Sequence, residues 1–141
     1  MGILSLEIKF SKIGVNQLSS NQDKIQKSVT YIPVAVVQFE GESKKKRIYL
    51  SSIVSDKKSI KQVVVGDTFI CLQIDDEYKV YNLDGVLQGS IPSEKYGSLL
   101  QVNENSFILL KESTITFISD KGEIAGSRML NEEELSAIKG S

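Results

Sequence analysis

From residue 61 onward the chain alternates short apolar runs with turn residues. "QVVV" (62–65), "TFICLQI" (68–74), "YKVYNL" (78–83) and "VLQGSI" (86–91) are separated by "GD", "DDE" and "DG", and Pro92 closes the last run. Val, Ile, Phe and Tyr fill the runs while Gly, Asp and Asn fill the gaps, which predicts four β-strands joined by tight hairpins. A second set follows: "LLQV" (99–102), "SFILLK" (106–111), "TITFIS" (114–119) and "EIAGS" (123–127), broken by "NEN", Glu112-Ser113 and "DKG". At a spacing of 37 residues, Gly85 falls over Gly122, Leu87 over Ile124, Gly89 over Gly126 and Ser90 over Ser127. Phe69 falls near Phe107 and Tyr81 near Phe117 with offsets that drift by a residue or two, which implies hairpin loops of unequal length. Self-similarity at this period indicates a repeat architecture.

The repeated glycines read as folding devices. Asp84-Gly85 suits a turn in which glycine takes a positive φ without a steric cost. Gly89 and Gly126 are expected at a bulge or a close backbone approach. "GVLQG" follows no strand-to-helix pattern and carries no P-loop lysine, so a phosphate site is not indicated. The four-stranded antiparallel unit, with its Asp-Gly type turn before the last strand, resembles a β-propeller blade over residues 61–130. Closure into a propeller needs typically four or more such blades, and 141 residues at this spacing supply fewer.

The first sixty residues are less regular. "LSLEIKF" (4–10) alternates like a strand, with Leu4, Leu6, Ile8 and Phe10 on one face. The polar stretch "GVNQLSSNQDKIQKS" (14–28) reads as a loop or a short weak helix, and "YIPVAVVQFE" (31–40) and "RIYLSSIV" (47–54) as strands joined by "GESKKK". Pro33 points to an edge or a strand start, since it cannot donate to a ladder. At the other end, Asn131 with Glu134 three residues on forms a capping box, followed by Lys139 in the last turn and Gly140 beyond it, which predicts a helix over 131–139. The expected fold is therefore all-β, built of antiparallel meanders with two blade-like four-stranded repeats and a short C-terminal helix. One domain is expected over 1–141, with an irregular strand region to residue 60.

Composition narrows the chemistry. The chain has no histidine, which removes the commonest general base, Ser-His and Cys-His pairs, and the commonest transition-metal ligand. Cys71, the single cysteine, lies in an apolar run and reads as a buried, inert thiol. No cofactor motif or EF-hand loop is present, so no cofactor is expected. The longest apolar block, "IPVAVV", falls well short of the roughly 18 residues that span a bilayer, and "MGILSLEIKF" has no basic leader. The expectation is a cytoplasmic protein with no membrane role.

Two charged clusters are the candidate contact sites. Asp75, Asp76 and Glu77 crowd one hairpin tip, and Glu132, Glu133 and Glu134 open the helix. The basic counterpart is Lys44, Lys45, Lys46 and Arg47, placed on a hairpin tip. Residues 1–62 hold eleven Lys or Arg against five Asp or Glu, a balance of +6, and residues 63–141 hold six against thirteen, a balance of −7. An acidic half of this kind can cover a basic partner surface, and a dipolar charge distribution speeds encounter. The expected function is a non-enzymatic protein-binding domain, in its most concrete form an immunity protein that neutralises a bacterial toxin such as a nuclease. Cognate immunity proteins are often acidic and compact, and the resemblance goes no further than that. Two alternatives stand beside it: a structural module that assembles into a larger propeller-like oligomer, and nucleic-acid binding through Lys44 to Arg47. The last is the least expected, because no aromatic platform is interleaved with the cations.

Overall fold

The computed structural model describes residues 2–18 and 26–139. The described residues form three antiparallel sheets in sequence order. The first contains β1 (Ile3–Leu18), β2 (Gln26–Phe39) and β3 (Lys46–Tyr49), in that spatial order. The second is the meander β4 (Ile60–Val65), β5 (Ile70–Ile74), β6 (Glu77–Tyr81) and β7 (Leu87–Pro92). The third repeats it with β8 (Ser98–Val102), β9 (Ser106–Lys111), β10 (Thr114–Ser119) and β11 (Ile124–Met129). A one-turn helix α1 (Ser93–Tyr96) links the last two sheets, and α2 (Glu132–Lys139) ends the described chain. The fold is all-β with a short C-terminal helix, and among the described residues no sheet closes on itself.

The sheets stack face to face. Ala35, Val37, Ile48 and Leu50 of the first pack against Ile70, Leu72, Ile74 and Tyr81 of the second. The opposite face of the second sheet, with Val64, Phe69, Cys71, Tyr78 and Val80, packs against Phe107, Leu109 and Ile118 of the third. The second sheet is therefore apolar on both faces, which is why "TFICLQI" reads as a near-continuous apolar run rather than an alternation. On the outer face of the third sheet, Ile108, Ile115 and Phe117 are covered by Leu135 and Ile138 of α2. The helix begins as its sequence predicts: Asn131 Oδ1 accepts from the Glu134 N–H at 2.8 Å, and Glu134 Oε1 accepts from the Asn131 N–H at 3.2 Å.

From Val64 and Gln101 onward the two repeats share one strand register at a spacing of 37, which corrects the drifting alignment read from the sequence; before that point the bulge falls at Lys61 in β4 and at Leu100 in β8. Val65 pairs with Ile70 and Val102 with Phe107, and Tyr81 pairs with Leu87 and Ile118 with Ile124. Ile70, not Phe69, is thus the counterpart of Phe107, and Ile118, not Phe117, that of Tyr81. The loops are equal in length, and one residue, Gln88 or Ala125, bulges before each final glycine. Phe69 and Phe107 are contact partners instead, with rings stacked 5.6 Å apart across the sheet interface.

Four further expectations are revised. The polar stretch 14–28 is not a loop or helix where it is described: β1 runs to Leu18 and β2 starts at Gln26, with Val15 opposite Val29, while residues 19–25 lie outside the described residues. Main-chain pairing in a long hairpin supplies each strand's hydrogen bonds whatever the side chains, so the stretch needs no apolar alternation. Strand 47–54 stops at Tyr49, and Pro33 is the cause. Leu50 N–H donates to the Pro33 carbonyl at 3.0 Å, but Pro33 has no N–H to return, and the Leu50 carbonyl turns to accept from Ser52 at 2.7 Å. Pro33 itself sits within the central strand of its sheet, opposite Phe10, with its missing donor on the side where β3 ends. Only Lys44 and Lys45 lie in the β2–β3 turn, Lys46 and Arg47 being the first residues of β3.

Candidate functional site

Antiparallel meanders put alternate turns at opposite ends of the stack. The β5–β6 turn, α1 and the β9–β10 turn share one end, called upper here. The Ser93 N–H donates to the Asp76 carbonyl at 2.8 Å, and the Leu130 N–H donates to the Ser113 carbonyl at 2.6 Å, which brings the start of α2 to the same end. Asp75, Asp76 and Glu77 therefore share an end of the molecule with Glu132, Glu133 and Glu134, although more than fifty residues separate them. All are exposed except Glu134, which is half-buried.

Glu94 and Glu112 join this end, and neither was singled out from sequence. The signal for Glu112 was present, because the 37-residue spacing maps it onto Asp75. Both residues take the left-handed conformation that these two-residue hairpins demand, with φ of 55° and 52°. Cations are interspersed: Lys61 lies 3.9 Å from Asp76, and Arg128 binds both oxygens of Glu134 at 3.1 and 2.8 Å. The Glu134 carboxyl is held below its ordinary range, first by the Arg128 hydrogen bond and then by the Asn131 N–H. Glu134 is thus committed to the helix start, whereas no ion pair is formed by Asp75, Glu77, Glu132 or Glu133 among the described residues.

Lys44, Lys45, Lys46 and Arg47 lie at the lower end, away from these acids, and all four are exposed. Glu40 and Glu42 flank them, and the neighbouring lower turns carry Asp67, Asp84 and Glu104. Each end consequently carries both signs, and the opposite balances of the two halves of the sequence do not become one acidic and one basic face. Cys71 is wholly buried between the second and third sheets, where burial pushes its thiol pKa up. Among the described residues no three acidic or thiol side chains converge as a metal site, and no helix is long and apolar enough to cross a membrane.

Fold and site together define a stack of antiparallel meander sheets that presents clustered carboxylates on hairpin tips at one end. No protein-family model matches the chain, and no curated protein matches it.

Proposed function

We propose that the protein is a non-enzymatic protein-binding domain, and in its most concrete form a cytoplasmic inhibitor that neutralises a basic toxin enzyme such as a nuclease. The observation that carries this reading is the gathering of Asp75, Asp76 and Glu77 with Glu112, Glu132 and Glu133 at one end, exposed on rigid hairpins and a capped helix. Carboxylates held there cost little entropy to engage, and a cationic cleft that binds nucleic acid offers the complementary field. Propeller-like assembly has less support, because α2 occupies the face on which a further sheet would stack. Nucleic-acid binding at Lys44 to Arg47 has less still, with Glu40 and Glu42 beside the cations.

The test is charge reversal at the β5–β6 tip. The variant Asp75→Lys, Asp76→Lys, Glu77→Lys is expected to keep the wild-type circular dichroism and melting temperature while losing a stoichiometric basic partner. Unchanged affinity in the folded variant would remove this end from the interface.

A further inference from the structure

Among the described residues the first sheet has one strand fewer than its neighbours, and its register within the stack identifies the missing one. Within each complete sheet the last hairpin turn presses its glycine on the final strand of the sheet before it. A Cβ on Gly85 would lie 2.1 Å from the Tyr49 carbonyl oxygen of β3, and one on Gly122 would lie 2.7 Å from Gly89 Cα of β7. β3 therefore corresponds to β7, β2 to β6 and β1 to β5. Among the described residues nothing in the first sheet corresponds to β4 or β8.

The empty place is a groove. Ile3, Leu4, Leu6 and Ile8 of β1 and Val63 and Val65 of β4 line an open volume of about 480 Å³. Val63, on the face that elsewhere is core, remains 38% exposed, and Leu4 is 63% exposed. From Ser5 to Lys12 β1 pairs with β2 without interruption, and among the described residues its other edge has no strand partner. An unpaired edge beside an apolar floor is the arrangement that binds an added strand.

We infer that this groove takes one extended polypeptide segment of a partner protein, antiparallel to β1, with apolar residues at alternate positions. β4 and β8 fill the equivalent place in the other sheets and set both direction and pattern, since β4 runs antiparallel to β5. A whole second sheet does not fit, because β4 underlies the vacant place and would meet the second copy's own β4. The edge also dictates charge. Glu7 and Lys9 are exposed on the outer face, so the segment should place a cation opposite Glu7 and an anion opposite Lys9. The stretch Ser5–Ser11, "SLEIKFS", meets this rule against itself. Run antiparallel with Ile8 opposite Ile8, it sets Lys opposite Glu7, Glu opposite Lys9, and apolar residues opposite Leu6 and Phe10.

A synthetic SLEIKFS peptide is therefore the probe, titrated into the full chain. One-to-one binding is expected, weakened roughly tenfold or more by Val63→Lys, which puts a charge on the apolar floor. The double variant Glu7→Lys, Lys9→Glu should lose the peptide to a similar degree, and the charge-swapped peptide SLKIEFS should restore binding. Rescue by the swapped peptide would establish register and direction and exclude misfolding as the cause of the loss. Absence of binding to the folded wild type, binding indifferent to all three substitutions, or self-association of the full chain that blocks the peptide would each overturn the inference.

Discussion

Two glycines 41 residues apart in the chain separate what the backbone demands from what the repeat merely carries along. Gly85 has φ +87° and presses on the Tyr49 backbone, so a side chain there meets a strained conformation and a main-chain clash together. Its turn is also fastened by Asn82, whose Oδ1 accepts from the Asp84 and Val86 N–H groups at 3.0 Å each; Ser119 Oγ plays the same part for Lys121 and Glu123. Gly126 occupies the place equivalent to Gly89, yet a Cβ there would meet nothing within 4 Å. Gly85→Ala should therefore cost more than about 2 kcal/mol, and Gly126→Ala should be neutral or stabilise by about 0.5–1 kcal/mol. Urea unfolding of the two variants checks both, and equal losses would contradict this account of the repeat. The sequence pattern announced both glycines but not this difference, because crowding comes from a neighbouring sheet.

Elements differ in how far local chemistry decides them. The strands of the second and third sheets were legible because β-rich runs and turn residues agree at every junction, and α2 was legible from its capping box. The polar extension of β1 and β2 was not, since its hydrogen bonds come from a partner strand. The shortening of β3 was not legible: Pro33 pointed to an edge or a strand start, and only the paired geometry reveals that it lies in the central strand and that Leu50 is the residue affected. The carboxylates of the upper end were legible as two separate clusters, and which hairpin tips share an end follows from strand direction. Whether a strand is an open edge, as β1 is among the described residues, depends on what the rest of the fold leaves uncovered.

For α2, Asn131→Ala should remove about 1 kcal/mol from the helix start, read as faster amide exchange over Glu132–Lys139. Because the folded Glu134 carboxyl is held below 4.5, its contribution is complete above that value and is lost as pH falls through the lower folded one. Protection of α2 should therefore drop on acidification, and Glu134→Gln should abolish that drop. A pH-independent helix in the wild type would contradict the role given to the Arg128 pair.

At the scale of the whole molecule the stack has two interior seams, and one contains a built-in reporter. Cys71 is fully buried among Phe69, Tyr78 and Phe107, so its thiol is shielded and stays protonated in the native state. Labelling by a thiol reagent at pH 8 should proceed only as fast as the second and third sheets separate, and should accelerate in urea in step with global unfolding. Rapid labelling of the native chain would mean that this seam opens on its own. A seam that stays shut is what keeps the upper hairpin tips in fixed relation to one another, and the proposed contact surface depends on that rigidity.

The most direct measurement is affinity capture with three forms of the 141-residue chain from the native cell at low and moderate salt: wild type, the Asp75, Asp76, Glu77 reversal, and a Lys44→Glu, Lys45→Glu, Lys46→Glu reversal. The account predicts one stoichiometric basic protein retained by the wild type and by the lysine variant, weakened by salt, and lost from the acidic-tip variant alone. Equal retention by all three, loss only from the lysine variant, or recovery of nothing but the protein itself would contradict it.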